Sequence, residues 1–331
     1  MNKRTIAIVA GGFSREHDVS MRSAQGILSA IDKERYQTYI IEITHESWKA
    51  ILPNGEHSII NKNDFSFQGL EGVVKPDFAY ITIHGTPGEN GILQGYFDLI
   101  GLPYSTCNVL VEALTFNKFA LNQYLKAFGV KIADSLLLRK QTEAEVSDDD
   151  IINRIGLPCF VKPCADGSSF GVSKVNLKEE LRGAIRDALQ GRGEAMVEAF
   201  ISGTEITCGC YKTKDKSVVF PITEVVTDET FFNYEAKYNG ASQEITPARI
   251  PNATAERVSR LTSAIYDILG CEGIIRIDYI LSGEKGHETI NLLEINTTPG
   301  MTNASFIPQQ VRAAGLSMTQ VLTDIIENKF K

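Results

Sequence analysis

Apolar residues along the first hundred positions alternate between the spacing of a strand and the spacing of a helix. The strand-like runs cover 5–10, 36–43 and 78–84. The helical runs cover 20–31, with Ser20 as the expected N-cap, and 90–100. Such alternation predicts a parallel sheet with helices on its faces, in which ligands collect at the carboxyl ends of the strands. Two polar segments follow predicted strands there, at 11–20 and 84–91.

The same patterns continue through the rest of the chain. Further helices are predicted over 115–128, after the acidic run 147–150, and over 252–269 and 317–328. Further strands are predicted over 157–163, 172–175 and 195–201. A long polar and aromatic segment covers 227–246, and its aromatic content favours a lid that packs. At 331 residues, two or three domains are expected.

Composition narrows the classes of partner. The net charge of -8, with no cluster of Lys and Arg, argues against nucleic acid. No apolar run approaches the roughly 18 residues of a membrane span. The six cysteines contain no Cys-x-x-Cys, and scattered thiols fit a reducing cytoplasm. Cys208 and Cys210 share a strand face and are interpreted as a buried thiol pair.

Candidate metal ligands lie near the C-terminus, in the segments GIIRID at 273–278 and LLEINTTPGMT at 292–302. Asp278, Glu294 and Asn296 follow apolar residues on predicted strands, and carboxylate and amide oxygens suit Mg²⁺ that also holds substrate phosphates. Arg276 can point at the same place. A fixed cation beside phosphate favours phosphoryl or acyl-phosphate chemistry. The alternative is a pair of edge strands with solvated acids.

The phosphate-binding motifs of two common nucleotide folds are missing. No Gly-x-x-x-x-Gly-Lys-Ser/Thr occurs, and the segment at 11–14 does not supply Gly-x-Gly-x-x-Gly. A Gly-rich loop at 164–171 between two predicted strands instead suits a flap that closes backbone N–H groups over phosphates. The sequence therefore predicts a nucleotide site between two sheets, with lysines on one side and metal ligands on the other.

Five segments together carry a resemblance to a known family. They are GGFSREHDVS at 11–20, HG with ENG within 84–91, VKP with GSSFG within 161–171, YEAKY at 234–238, and RID with LEINTTPGMT within 276–302. In this order they resemble the ATP-grasp superfamily and, more closely, the bacterial D-alanine–D-alanine ligase family. The resemblance covers nearly all of the chain.

The resemblance implies a fold and a domain organisation. The expected class is α/β (α+β), an ATP-grasp fold with an N-terminal Rossmann-like parallel-sheet domain. The expected regions are an N-terminal α/β domain at 1–105, a central ATP-grasp subdomain at 106–197 and a C-terminal ATP-grasp subdomain at 198–331. ATP is expected between the last two, beneath a lid at 227–246. A cytoplasmic homodimer that binds no nucleic acid and no membrane is expected.

The family also implies which residues hold the phosphates and the metal. Lys118 and Lys162 are expected to hold phosphates as compact point charges. Lys237 is expected to reach a phosphate or carboxylate when the lid closes. The expected metal ligands are Asp278, Glu294 and Asn296, which would hold two Mg²⁺ ions, with Glu294 between them and Mn²⁺ as a substitute.

For the nucleoside, the resemblance implies a second set of residues. Glu198 is expected to accept from the adenine amino group, with the backbone of Phe200 and Ile201 beside it. Glu205 is expected to accept from the ribose hydroxyls. Ser169 of the flap and Phe231 of the lid complete the expected ATP-binding residues.

The implied reaction joins two D-alanine molecules. Glu16 is expected to bind the ammonium of the first D-alanine and to form a hydrogen-bonded triad with Ser168 and Tyr238. The first carboxylate attacks the γ-phosphate of ATP, and the second amine attacks the resulting acyl phosphate. Because an acyl phosphate hydrolyses, the site must exclude water. The expected product is D-alanyl-D-alanine for peptidoglycan.

Five further positions are implied around the substrates. Arg276 and the N–H of Gly300 are expected to face the tetrahedral oxyanion. Ser305 and the backbone near Phe306 are expected to hold the second carboxylate. His84 is expected near the first substrate.

Three alternatives share this fold. A D-alanine–D-lactate ligase is disfavoured by Tyr238 within EAKY. A non-catalytic nucleotide-binding regulator should have lost metal ligands or phosphate lysines, and this sequence keeps them all. Another ATP-grasp amino-acid ligase is disfavoured by the 11–20 segment.

Overall fold

The N-terminal sheet is built from short strands around two longer neighbouring strands, each of 8 residues. The computed structural model describes residues 3–165, 171–191, 193–227 and 242–331. Its first strands are β1 (Arg4–Gly11), β2 (Tyr36–Ile43), β3 (Trp48–Ile51), β4 (His57–Ile59), β5 (Phe67–Gly69), β6 (Gly72–Val74) and β7 (Phe78–Ile81). The order β4-β3-β2-β1-β7 forms one sheet, and β5 pairs with β6. The centre is parallel as predicted, whereas β3 and β4 extend it antiparallel.

Both faces of β1 are buried, which explains its unbroken apolar sequence. Ile6 and Ile8 pack into one apolar cluster, while Ala7 and Val9 pack into another. The helices α1 (His17–Ala30) and α2 (Ile92–Ile100) pack against opposite faces of this sheet. The predicted strand at 78–84 ends early, at Ile81.

The predicted N-cap Ser20 is wrong, because α1 begins at His17 and Glu16 takes the cap position. Ser20 is fully buried inside the helix. Its hydroxyl accepts from the N–H of Gly11 at 2.9 Å and donates to the carbonyl of Thr82 at 2.7 Å. Ser20 therefore joins the ends of two strands, a role that its local sequence does not reveal.

The predicted helix at 115–128 is also wrong, because two helices meet there. They are α3 (Val109–Phe116) and α4 (Lys118–Lys126). Asn117 lies between them with extended backbone, and its side chain accepts from the N–H of Ala120 at 3.0 Å. An Asn cap restarts the helix although the apolar spacing runs on. The break places Lys118 at the first turn of α4.

The second sheet is antiparallel. Its strands are β8 (Ser135–Arg139), β9 (Cys159–Pro163), β10 (Ser173–Val175) and β11 (Glu194–Ala199), in the order β10-β9-β11-β8. The helices α5 (Asp148–Ile155) and α6 (Lys178–Ala188) cover it. Ser147 caps α5, and acids occupy the first turn, as the sequence predicts.

The third sheet carries the expected metal ligands. Its strands are β12 (Thr204–Lys212), β13 (Ser217–Val219), β14 (Thr223–Thr227), β15 (Ser242–Ile245), β16 (Ile274–Ser282) and β17 (Thr289–Asn296). The order is β15-β14-β12-β16-β17, with β13 also on β12. The remaining helices are α7 (Asn252–Leu269), α8 (Phe306–Ala313) and α9 (Met318–Asn328).

The end of the chain packs against its beginning. Glu327 of α9 accepts from Arg4 at 2.8 Å and from the hydroxyl of Tyr36 at 2.7 Å. Gly273, at φ +69°, touches the carbonyl of Ser105 so closely that a Cβ would lie 1.9 Å from the oxygen. The first and third sheets are therefore held against each other. The division at 105 and 197 stays a prediction.

Several other predictions are decided by the structure. The strand at 36–43 and the helix at 252–269 have the predicted bounds. All six cysteines are free and buried, including Cys208 and Cys210. The predicted lid begins and ends in β14 and β15, and its middle, 228–241, lies outside the described residues.

Candidate active site

Four charged or polar side chains form a block across β16 and β17. Asp278 is the cross-strand partner of Glu294, and Arg276 is the partner of Asn296. The Arg276 guanidinium donates from Nε to Asp278 Oδ1 at 2.9 Å and from Nη2 to Oδ2 at 2.7 Å. Nη2 also lies 4.0 Å from Glu294 Oε1. The antiparallel register thus brings together residues that are up to twenty positions apart.

Asp278 is deeply buried, and each of its oxygens is occupied. The hydroxyl of Thr207 donates to Oδ1 at 2.5 Å, and Asn296 Nδ2 lies 3.3 Å from Oδ2. Burial by itself would lower the pKa of Arg276, but the adjacent carboxylates of Asp278 and Glu294 outweigh it and raise that pKa. This contradicts the alternative of solvated acids, although β17 is an edge strand.

The residues present fit a divalent cation. Two carboxylates and one amide lie in a single cross-strand block, and the Glu294 side chain keeps 25% of its surface exposed toward the cavity described below. Oxygen donors of this kind suit Mg²⁺ or Mn²⁺. Glu294 and Asn296 line that cavity, whereas Asp278 is not among its lining residues and is bound through both oxygens by Arg276.

A turn connects β17 to α8 and is tied to three other parts of the chain. Thr297 donates to Glu112 of α3 at 2.5 Å, and Thr298 donates to the carbonyl of Ile83 at 3.2 Å. The N–H of Met301 donates to Ser23 of α1 at 3.2 Å. The turn is therefore fixed from both sides of the cavity.

Gly300 and Ser305 meet at the far end of this turn. A Cβ on Gly300 would lie 2.8 Å from Ser305 Oγ, so a side chain at this position would displace the Ser305 hydroxyl. Ser305 occupies the N-cap position of α8, and its hydroxyl accepts from the N–H of Thr302 at 3.1 Å. Arg276 lies 5.3 Å from the ring centroid of Phe306. Arg276 and the α8 N-terminus thus share one wall.

A cavity of about 340 Å³ joins these groups to the N-terminal region. Its lining includes nine of the sequence-predicted positions: Glu16, His84, Lys118, Arg276, Glu294, Asn296, Gly300, Ser305 and Phe306. The two polar segments of the first sheet meet here, since Ser14 donates to the carbonyl of His84 at 2.8 Å. His84 is buried, and its Nε2 has no hydrogen-bond partner among the described residues.

Lys162 and Glu198 form a buried ion pair at 2.6 Å on the second sheet. Asn122 of α4 donates to the other Glu198 oxygen at 3.4 Å. The sequence predicted separate roles for these two side chains, at phosphate and at adenine. In the structure the two side chains contact each other directly. Removing one partner would leave the other charge buried and uncompensated.

The other expected nucleoside residues lie beside this pair. The Phe200 ring packs against Phe160 at 5.9 Å between centroids, and Lys174 Nζ lies 4.3 Å from its centroid. Ile201 and Glu205, at the start of β12, are half-buried. The expected residues Ser168, Ser169, Phe231, Lys237 and Tyr238 lie outside the described residues.

Three acids near the cavity were not predicted as functional: Glu89 and Glu244 are half-buried, and Glu112 is fully buried. Burial raises the pKa of Glu89, whose carboxylate accepts from the N–H of Gly85 at 2.7 Å. Burial likewise raises the pKa of Glu244, which accepts from Gln309 of α8. Glu112 is the third. It stands on the buried face of the apolar helix VLVEALTF, and that helical position is the signal that could have identified it.

Comparison with known families decides the assignment. The D-ala D-ala ligase N-terminus model matches residues 5–107, and the D-ala D-ala ligase C-terminus model matches residues 124–327. The chain belongs to the D-alanine–D-alanine ligase family. The N-terminal match covers the first sheet, and the C-terminal match covers the sheets that carry the Lys162–Glu198 pair and the β16–β17 block.

Individual members of the D-alanine–D-alanine ligase family are similar over the full length. A D-alanine–D-alanine ligase of Phocaeicola vulgatus is 67% identical over 329 residues, which covers 99% of this chain and 100% of that relative. A D-Ala:D-Ser ligase of Enterococcus faecalis is 30% identical with a TM-score of 0.86 and covers 98% of this chain and 99% of that one. The Bacillus anthracis ligase complexed with ATP is 27% identical with a TM-score of 0.77, covering 99% and 97%. These solved structures share the ATP-grasp fold that the sequence predicts.

Among the residues that the structure describes, no helix combines the length and the apolar character needed to cross a membrane.

Proposed function

We propose that this chain joins two D-alanine molecules into D-alanyl-D-alanine and converts ATP to ADP and phosphate. The dipeptide serves peptidoglycan precursor synthesis. The observation that carries the proposal is the cavity itself, which brings Lys118 and Glu294 together with Arg276, Gly300 and Ser305. A phosphate cation, a metal ligand and an oxyanion cradle around one space suit acyl-phosphate chemistry.

The first step activates one D-alanine. Glu16 binds its ammonium, and a carboxylate oxygen of the substrate attacks the γ-phosphorus while the bond to ADP breaks. The product is D-alanyl phosphate. Lys118 holds phosphate oxygens, and His84 lies near the first substrate on the same cavity wall. Ser168 and Tyr238 complete the contact to Glu16.

In the second step the other D-alanine attacks. Its free amine adds to the acyl carbon and forms the tetrahedral oxyanion. The bond from this carbon to the phosphate-bearing oxygen then breaks, so phosphate leaves with a carboxylate oxygen of the first substrate and takes up the proton that the amine loses. Arg276 and the N–H of Gly300 face this oxyanion. Ser305 and the backbone near Phe306 hold the second carboxylate at the start of α8.

ATP binds between the second and third sheets. Glu198 accepts from the adenine amino group beside Phe200 and Ile201, Glu205 accepts from the ribose, and Lys162 reaches the phosphates. Lys162 and Glu198 form an ion pair at 2.6 Å. ATP binding must therefore either separate the two side chains or bind to both while they remain paired. The remaining proposed contacts come from Ser169, Phe231 and Lys237.

Asp278, Glu294 and Asn296 would hold two Mg²⁺ ions, or Mn²⁺ in their place. Such ions neutralise phosphate charge when bound. Thr207 and Arg276 each donate a hydrogen bond to Asp278 and thereby orient its carboxylate.

The proposed assembly is a cytoplasmic homodimer of chains with the three predicted regions. All six cysteines are free, which suits a reducing compartment. Ile92 and Leu99 lie seven positions apart on one face of α2, and Leu99 is 88% exposed. Leu110 of α3 is exposed as well. A second copy of the chain would cover this surface, and Leu99→Glu should then convert a dimer to a monomer in sedimentation experiments.

The activity is tested by incubating the purified protein with ATP, Mg²⁺ and D-alanine, with D-serine and D-lactate as competing acceptors in separate reactions. We expect ADP and D-alanyl-D-alanine in equal amounts. When D-serine or D-lactate is also present, D-alanyl-D-alanine should remain the main product. Mixed products dominated by D-serine or D-lactate would reassign the acceptor. Absence of both ADP and condensed product would contradict the proposal.

A further inference from the structure

Glu112 is a fully buried carboxyl group on the buried face of α3. Its exposed fraction is 0%. Its oxygen Oε2 accepts from the hydroxyl of Thr297 at 2.5 Å, while Oε1 has no hydrogen-bond partner among the described residues. No ion pair of Glu112 occurs in the described ranges. A buried acid without a cation is costly for folding, so its presence needs a reason other than stability.

Burial raises the pKa of Glu112 above its usual range, and the hydroxyl groups of Thr297 and Thr106 oppose this shift only in part. The shift reflects the cost of ionising a buried carboxyl group that has no cation beside it. The hydrogen bond from Thr297 to Oε2 is the contact on which the inference rests.

Thr297 stands at a critical point of the chain. It directly follows Asn296, a proposed metal ligand, and it precedes Gly300, whose N–H is proposed to face the oxyanion. Glu112 in turn lies on α3, and α3 is separated from Lys118 at the start of α4 only by Asn117. One hydrogen bond thus links the helix pair that carries the phosphate lysine to the turn that carries the metal ligand.

We propose that Glu112 is a positioning residue for the ligase reaction, which holds Thr297 and thereby sets Asn296 and Gly300 relative to Lys118. The inference rests on the proposed function. Glu112 touches neither substrate nor metal, and its effect passes through the Thr297 hydroxyl.

The test uses variants of both partners in the full chain. Glu112→Gln keeps an acceptor oxygen and the shape, Glu112→Leu removes the acceptor at similar volume, and Thr297→Val removes the donor. We expect Glu112→Gln to keep the rate of ADP release within about twofold. Glu112→Leu and Thr297→Val should each lower kcat by about 10- to 100-fold, as outer partners of metal ligands do. The double variant should be no slower than the worse single variant.

A second readout does not depend on turnover. Mn²⁺ affinity in the presence of a non-hydrolysable ATP analogue, measured by electron paramagnetic resonance, should weaken in Glu112→Leu and Thr297→Val and not in Glu112→Gln. Thermal unfolding checks that Glu112→Leu folds, because this change removes an unpaired buried oxygen but also leaves the buried Thr297 hydroxyl without its acceptor. If Glu112→Leu does not fold, Thr297→Val with Glu112→Gln as its control decides the question.

Wild-type kcat and wild-type Mn²⁺ affinity in Glu112→Leu or in Thr297→Val would overturn the inference, as would equal losses in Glu112→Gln and Glu112→Leu. Failure of the proposed function is distinguished from this result, because it would leave the parent protein without dipeptide synthesis while the Mn²⁺ series remains measurable.

Discussion

Arg276 and Asp278, two positions apart on one strand, form a two-point ion pair in which both guanidinium N–H donors reach separate carboxylate oxygens, at 2.9 and 2.7 Å. Residues i and i+2 of a strand share one face, so this pair needs no distant partner to form. The pair fixes the direction of Arg276 toward the cavity and the orientation of Asp278 beside Glu294. It links oxyanion stabilisation and metal binding in one structural element.

Arg276→Ala should lower kcat by roughly 10²–10³, or about 2.7–4 kcal/mol of transition-state stabilisation, because one donor to the oxyanion is lost. ATP affinity should change much less. Arg276→Lys is the matched control, since it keeps the charge but not the planar two-point contact. Steady-state kinetics and nucleotide titration separate the two effects. Unchanged turnover with weakened ATP binding would move Arg276 to a phosphate-binding role.

Glu294→Gln should reduce turnover by orders of magnitude while the fold survives, because the change removes a charge and little volume. The side chain is 25% exposed, so the amide is not left buried without solvent. ADP release measures the activity, and circular dichroism with thermal unfolding checks the fold. A folded Glu294→Gln protein with near-normal ADP release would refute the metal assignment.

The raised pKa of Glu112 makes a prediction about stability and pH. In the unfolded chain this carboxyl ionises above its usual pKa, near 4.5, whereas in the folded chain burial raises its pKa. Its contribution is therefore most favourable below pH 4.5 and is lost as pH rises from there toward the raised folded value. Glu112→Gln has no such titration. The Tm of Glu112→Gln minus that of the parent should increase between pH 5 and pH 7.5, and a difference independent of pH would mean that Glu112 is ionised in the fold.

Tyr238→His should shift the acceptor from D-alanine toward D-lactate. The residue lies outside the described part of the chain, so this prediction rests on the sequence. A protonated imidazole would repel the incoming ammonium of D-alanine and leave D-lactate unaffected, increasingly so at lower pH. Competition assays at pH 6 and pH 8 measure the ratio of ester to dipeptide. An unchanged ratio in the variant at both pH values would exclude Tyr238 from acceptor selection.

The sequence predicted the structure best where a single pattern determines it. The short apolar and β-branched run of β2 and the long amphipathic pattern of α7 predicted the observed bounds. The motifs of the resemblance named Arg276, Glu294 and Asn296 as residues of one site. The structure brings them together because β16 and β17 pair antiparallel, with Asp278 opposite Glu294.

Other features depend on contacts between distant parts of the chain, which local patterns cannot encode. Ser20 looks like a helix cap in sequence, but its hydroxyl is used between two strands. The Lys162–Glu198 pair forms because β9 and β11 are neighbours in the second sheet. The helical pattern of VLVEALTF can show that Glu112 is buried, but its hydrogen bond to Thr297 joins residues 185 positions apart and is visible only in the structure.

The proposed reaction forms and consumes an acyl phosphate in the cavity walled by Arg276, Glu294 and Gly300. Its most direct test follows the carboxylate oxygen of the first D-alanine, using D-alanine labelled with ¹⁸O in its carboxyl group together with ATP and Mg²⁺. We expect mass spectrometry to find one ¹⁸O atom in the phosphate released with each dipeptide. Dipeptide formed with unlabelled phosphate would contradict the acyl-phosphate mechanism.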